Sequence, residues 1–314
     1  MMQSIAVRAG QGLVVLLAAF TVAFALLQAL PGDAVLIKFL GTDMGLTPEQ
    51  VADIRIAYGA DAPLWQQYLH TLGNFLSGEF GYSIRSGVPV ARLIAENLPS
   101  TLLLAGLAFL LACVLAAILA ALSQVEGFGW VRAAARSAPS VFVAVPVFWL
   151  GIMLIQVFSF TLGWVSIIAP EPWEELLLPV VALSIPISAP IAGVLIRNLD
   201  AAMAEPFVAV ARAKGARQGW VLRRHAARVA LPPAATMGGV LFGELLGGAV
   251  VTEAVFGLGG LGGLTQQAVA NQDVAVLQAV VVISALGFVL VSLLVDLLHP
   301  LLDPRLGARG VQAA

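Results

Sequence analysis

The sequence predicts an all-α membrane protein with six transmembrane helices. Hydrophobic residues make up 60% of its 314 residues and charged residues 11%, where a soluble domain carries roughly a quarter charged. Mean hydropathy is +0.96. The apolar residues gather into six separate runs, each close to the ~20 residues that a helix needs to cross a bilayer. The formal net charge of −2 decides nothing, because charge in a membrane protein matters by side rather than by sum.

The first run covers Gly10–Leu30, behind Arg8. It exceeds the roughly 7–15 apolar residues of a secretory signal, so it reads as an uncleaved first span. The next segment, 31–100, is too polar to span and too long for a simple connection. It holds two amphipathic stretches, Val51–Tyr58 and Trp65–Leu76, the latter with Leu69, Leu72, Phe75 and Leu76. They predict a small helical cap on the membrane face. An independent soluble domain would lack enough residues for its own core. Five further spans are expected near Thr101–Leu122, Pro139–Phe160, Leu176–Ile196, Ala230–Val251 and Leu277–Leu298. Pro146, Pro186, Pro190, Gly238-Gly239 and Gly247-Gly248 fall inside them, where a bundle tolerates kinks and uses close packing. The expected division is 1–30, then 31–100, then a core of 101–314 with a polar connection at 197–230.

An even number of spans places both termini on one side. All but four of the 16 Lys and Arg residues lie at the termini, between spans two and three, or between spans four and five. The four exceptions, Lys38, Arg55, Arg85 and Arg92, lie in the cap. By the positive-inside rule the larger set, and both termini, are cytoplasmic.

Several chemistries are missing. Lys38 follows Ile37 and Lys214 follows Ala213, so no Gly-Lys-Ser/Thr phosphate loop exists. Three histidines, His70, His225 and His299, make no zinc motif, and the single cysteine, Cys113, reads as a small buried hydrophobe. Gly257, Gly259 and Gly262 match Gly-x-Gly-x-x-Gly but follow a membrane span rather than a strand; a tight turn is expected there. The chain therefore reads as neither an enzyme nor a holder of cofactor or metal, and nothing in it points to nucleic acid.

The connection between spans four and five stands out as a basic island. Ala211-Arg212-Ala213-Lys214-Gly215 is followed by Arg223-Arg224-His225-Ala226. Phe207–Trp220 is rich in helix formers, and Ala209, Ala213 and Ala216 fall at near-helical spacing. Small side chains let a helix approach another protein closely, Gly215 offers a stop, and the cations can hold acidic groups or lipid headgroups. An ordinary positive-inside loop lying on lipid fits the same residues.

This island, continued by Leu231-Pro232-Pro233, resembles the cytoplasmic coupling loop of ABC-importer permeases, specifically the dipeptide/oligopeptide/nickel family. Other segments agree in order: Leu30-Pro31-Gly32-Asp33, Gly81-Tyr82-Ser83, Leu98-Pro99-Ser100-Thr101-Leu102, Pro146-Val147-Phe148-Trp149-Leu150-Gly151, Glu253-Ala254-Val255-Phe256 and Leu301-Leu302-Asp303-Pro304-Arg305. Two departures stand out. Ala209-Val210-Ala211 replaces the Glu-Ala-Ala that opens the general importer loop, and Gly259 stands where many members have proline.

The resemblance implies a type I ABC-importer permease fold in a bacterial or archaeal plasma membrane. It implies a homologous second permease, more in keeping with the family than an identical copy, and an extracytoplasmic binding protein that delivers peptides. It also implies two ATPase subunits that bind ATP and Mg. Ala209, Ala211, Arg212, Ala213, Lys214, Gly215, Arg224 and His225 would meet an ATPase. Asp33, Glu253, Phe256, Asn271 and Asp273 would lie on the binding-protein and gate side. Glu244, inside the fifth span, is costly in lipid and would either line the pathway and favour a cationic group or pack as a neutral residue. Asp296, near the end of the sixth span, suits a structural pairing. Nickel, metallophore or other small-solute import fits the same scaffold. A secondary transporter would need internal repeats and more buried acids. A non-transporting scaffold whose island binds only lipid is the third reading.

Overall fold

The computed structural model describes residues 2–28, 63–168 and 170–302. Val51–Tyr58, Asp33 and the closing Asp303-Pro304-Arg305 lie outside the described residues. The helices in order are α1 (Met2–Gln28), α2 (Leu64–Leu76), α3 (Val90–Leu122), α4 (Gly129–Ala144), α5 (Val147–Leu154), α6 (Pro172–Met203), α7 (Pro206–Ala213), α8 (Gln218–Val221), α9 (Ala227–Phe256), α10 (Leu261–Ala270) and α11 (Val274–Leu302). π-helical turns at Ile155–Thr161 and Leu222–Ala226 extend α5 and join α8 to α9. Among the described residues the extended pairing is a single bridge between Tyr82 and Pro89.

Four segments are long and apolar enough to cross a membrane as single helices: Val7–Gln28, Val90–Leu122, Trp173–Met203 and Val274–Val295. The count reaches six if each of two bent pairs is one span. The third expected span, Pro139–Phe160, is therefore not one rod. Gly129–Ala144 and Val147–Thr161 meet at 101°. Pro146 has no N–H to donate and its ring disfavours helical backbone in the residue before it; Val145 is extended, at φ −87 and ψ 119. The second expected span starts earlier than its apolar run, because the polar-faced turns from Val90 continue into it without a break.

The chain divides into two compact units. The first comprises Met1–Thr101 and Gly257–Val289. Here α2 lies against α1: Phe20 meets Tyr68 and Phe75 edge-on at 5.5 and 5.2 Å, and Thr21 Oγ1 lies 2.9 Å from the Tyr68 hydroxyl. Val90 and Ile94 of α3 pack with Leu261, Ala268, Val276, Ala279 and Val280. Two buried hydroxyls tie this core to the chain following α9. Ser83 donates to Asp273 Oδ2 at 2.5 Å, and Thr101 accepts the Leu261 N–H at 2.9 Å.

The second unit comprises Leu102–Phe256 and Leu290–Ala314. Its central helix is α6, packed against α4, α5 and α9. Alanines dominate the contacts. Ala108, Ala112, Ala116 and Ala120 form a buried stripe along α3, and Ala226, Ala230 and Ala234 form another leading into α9. Lipid tails are as apolar as leucine, so burial alone does not drive spans together; small side chains that permit close backbone approach do. Ser184 and Ser188 of α6, both buried, donate to carbonyls of Val181 and Ile185 on their own helix, so neither needs a partner across the seam.

The tightest crossing is at Gly239 of α9, where a Cβ would overlap the side chain of Val295. Gly239→Ala is expected to lower the thermal unfolding midpoint in detergent, from an overpacking cost of about 1–3 kcal/mol. Adding Val295→Ala should restore most of the loss. A Gly239→Ala variant as stable as the wild type would show that the crossing is loose.

Candidate functional site

The basic island forms a short helix held at both ends. α6 stops at Met203, and Glu205 turns the chain with extended backbone, φ −70 and ψ 150. Pro206 takes the first helical position of α7, where its missing N–H costs nothing. The other end is a Schellman turn. The Ala216 N–H donates to the Ala211 carbonyl at 3.1 Å, and the Gly215 N–H donates to the Arg212 carbonyl at 2.9 Å. This pattern requires left-handed backbone at the residue between, and Gly215 has φ +82. Arg217 is extended again, at ψ 148, and α8 begins at Gln218.

One side of this helix is anchored. Val208 is buried, as are Val221 of α8 and Ala226 of the π-helical turn. The opposite side opens as a groove of about 670 Å³, lined by Phe207, Val210, Ala211, Lys214, Gly215, Ala216, Arg217, Trp220 and His225. Its apolar wall is aromatic: the His225 ring lies 5.9 Å from Phe207 and 5.1 Å from Trp220, centroid to centroid. Trp220 stays 52% exposed and Val210 55%, so the groove offers a large unpaired apolar surface. Lys214 and Arg217 supply positive charge at its edge. Such a surface accepts a protein edge bearing apolar and acidic side chains; it contains no arrangement for bond cleavage. Among the described residues no group of three or more His, Cys, Asp or Glu could hold a metal ion.

A run of polar contacts backs the groove. Arg212 Nη2 donates to Gln218 Oε1 at 3.3 Å and lies 3.8 Å from Glu126 Oε1. Gln218 Nε2 donates to the Gln124 carbonyl, and Gln124 Nε2 to Asp200 Oδ1, both at 2.8 Å. Arg136 Nη2 reaches the same Asp200 oxygen at 2.8 Å.

The structure thus brings Ala211, Lys214, Gly215 and His225 together at one groove. Ala209, Arg212, Ala213 and Arg224 are exposed nearby in the sequence but do not line it. Phe207, Val210 and Trp220 complete it; as large apolar residues in a polar connection they carried a signal that the alanine pattern overshadowed. Gln124, Asp200 and Gln218 gave none, being separated by 76 and 94 positions along the chain.

The remaining expected residues are scattered. Glu244 is exposed on α9, on a stripe with exposed Val240 and Val251. Glu253 is buried in the last turn of α9, and Phe256 is half-buried. Gly257, at φ +67, ends that helix in the turn expected of the glycine-rich segment. Asn271 is exposed and donates to the Gln267 carbonyl of its own helix. Asp273 is buried; besides bonding Ser83, its Oδ1 accepts the Val276 N–H at 3.4 Å and caps α11.

Residues 113–308 match the family described as binding-protein-dependent transport system inner membrane component, and residues 1–105 match that family's N-terminal component. The chain belongs to this family. It is a multi-pass inner-membrane permease subunit of a bacterial ABC importer, and ATP hydrolysis falls to partner ATPase subunits. The glutathione transport system permease protein GsiC of Escherichia coli strain K12 is 33% identical over 284 residues, 90% of this chain and 92% of that protein. A probable peptide ABC transporter permease, y4tP of Sinorhizobium fredii, is 34% identical over 291 residues, again 90% of this chain and 92% of that protein. Among solved structures, the inward-facing MetNI methionine ABC transporter aligns with a TM-score of 0.57 at 18% identity, covering 67% of this chain and 96% of that one. An amino acid ABC transporter with histidines aligns at 0.54 and 20%, covering 66% and 93%. These two likenesses show the fold.

Gly215→Ala meets no atom within 4 Å of the new Cβ, so its cost is backbone strain alone, about 1–2 kcal/mol. Hydrogen exchange of the Ala216 amide in this permease should quicken accordingly while overall helicity is unchanged. Unaltered exchange there would mean that the Schellman turn does not hold the end of α7.

Proposed function

We propose that the groove at α7 is where an ATPase subunit grips this permease, and that the importer carries short peptides. The observation that carries the docking reading is the short helix Pro206–Ala213, opened by Pro206, closed by the turn at Gly215 and flanked by an aromatic and cationic groove. A lever must not fray when pushed, and the C-terminal end of this one is closed by two backbone hydrogen bonds. The Lys and Arg bias of the connections supports a cytoplasmic position for α7 and for both termini. The cap region 31–100 then faces outward, with Asp33, Glu253, Phe256, Asn271 and Asp273 on the side where a binding protein delivers cargo. Closure of the ATPases around ATP and Mg would displace α7 and shift the bundle between two packed states. The second permease would be a diverged homologue, completing a pathway that one chain leaves open.

Peptide cargo is supported by the two relatives that span nine tenths of this chain and are named for glutathione and for peptides. Glu244 adds a chemical reason. A carboxylate exposed on a bilayer-spanning helix needs water, a neighbouring chain or a cationic ligand; the ammonium of a peptide supplies the last.

Ala211→Trp fills the groove and is expected to abolish co-purification of the ATPase subunits with the permease while membrane insertion persists. Full retention of the ATPases would sink the docking reading. For cargo, proteoliposomes holding the whole transporter and its binding protein should take up glutathione or a dipeptide in an ATP-dependent manner. Glu244→Gln should slow that uptake about tenfold or more, the loss expected when one partner of a desolvated charge pair is removed. Unchanged rates would exclude Glu244 from the pathway.

A further inference from the structure

A gripped lever is useful only if its movement reaches the spans. The covalent neighbours of α7 are α6 and α8; α3 and α4 are reached only through side chains. A run of hydrogen bonds, beside the 3.8 Å approach of Arg212 Nη2 to Glu126 Oε1, makes that connection. It starts at Arg212 in the last turn of α7 and passes to Gln218 Oε1 at 3.3 Å. Gln218 spends its other end, Nε2, on the carbonyl of Gln124, which lies just beyond α3, at 2.8 Å. The Gln124 side chain then donates to Asp200 Oδ1 in the last turn of α6, and Arg136 of α4 donates to that same oxygen.

We propose that Asp200 is a positioning residue that joins the turn after α3, which α7 reaches through Gln218, to α4 and so hands the displacement on. This rests on the docking reading above. The Gln218 amide is used at both its atoms, and Gln124 at its carbonyl and its side chain, so a shift of one member pulls the next. The carboxylate closes it because an anionic oxygen can accept from an amide and a guanidinium together, in short charge-assisted bonds. Arg136 and Asp200 are 45% and 40% exposed. An ion pair so open to solvent contributes little to folding stability, and its consequence is geometric: it fixes the turn after α3 to α4 and to the last turn of α6. Apolar contacts hold the same elements together but are not directional; the hydrogen bonds set which atoms move with the lever.

A chain of contacts is a route for displacement only when two members that do not touch are shown to be coupled. The whole transporter, both permeases with their ATPase subunits, would be placed in lipid nanodiscs and given a non-hydrolysable ATP analogue with Mg. Hydrogen exchange would be followed in two segments, 206–213 on the lever and 123–136 across the turn after α3. In the wild type both segments should respond to nucleotide. In Asp200→Ala the lever should still respond while the response of 123–136 falls about threefold or more, within the range seen for coupling positions. Gln218→Ala should do the same, and the double variant should lose no more than either single, because both interrupt one series. Asp200→Glu should recover part of the response.

Equal responses of 123–136 in wild type and both single variants would overturn the proposal and leave the docking reading standing. So would losses that multiply in the double variant, since they would mean independent effects. No nucleotide response of the lever in the wild type would instead overturn the docking reading, and this proposal with it. If Asp200→Ala assembles poorly, Gln218→Ala followed at the same two segments decides between these outcomes.

Discussion

The structure depends on how closely its helices can approach through alanine. Ala116 and Ala120 of α3, Ala192 of α6, and Ala226, Ala230 and Ala234 at the start of α9 form one buried cluster with Leu195, Leu199 and Ala202. In a bilayer, apolar area gains nothing by leaving lipid, so stability comes from contact density and from satisfied polar groups. A methyl side chain brings backbones together without rotamer entropy. The same cluster takes in Met203 and Leu222 at its rim, close in sequence to α7. A seam built to pack spans therefore also seats that short helix.

That seat explains the division of labour around α7. One face is fixed by Val208, and its neighbours Val221 and Ala226 are buried with it. The other face is left open, aromatic and positively charged. The two ends differ in kind. Pro206 presets backbone geometry at the entry, while Gly215 supplies a left-handed residue that lets two carbonyls be bonded at the exit. Arg212 has partners within its own chain as well: its guanidinium faces Gln218 and Glu126. The cations that remain available at the groove are Lys214 and Arg217.

Asp273, which the resemblance places on the binding-protein and gate side, also has partners within its own chain. In the fold its carboxylate is buried, bonded to Ser83 and to the N-terminus of α11. The chain between α9 and α11 is consequently fixed by polar groups as well as by the apolar packing of Leu261 and Ala268. Asn271, two residues earlier, stays exposed. Alternation of buried and exposed polar residues over so short a segment follows from the helix start at Val274, which directs one side chain into the cap and leaves its neighbours outside.

The sequence by itself determined the class, most of the spans and the end of the short helix α7, because these rest on local quantities. Run length and hydropathy mark a span, and Gly215 marks a helix end. The 101° break at Pro146 was half legible: proline announces a kink, but its angle depends on what packs against α5. Tertiary structure alone decided which side chains meet. Gln124, Asp200 and Gln218 are unremarkable where they stand in the chain, and only the seating of α6 and α8 beside the end of α3 brings them within hydrogen-bond reach. The physical reason is range. Backbone preference and hydropathy act over a few residues, whereas a hydrogen bond needs two atoms within about 3 Å, a condition that only the completed packing can meet for residues so far apart.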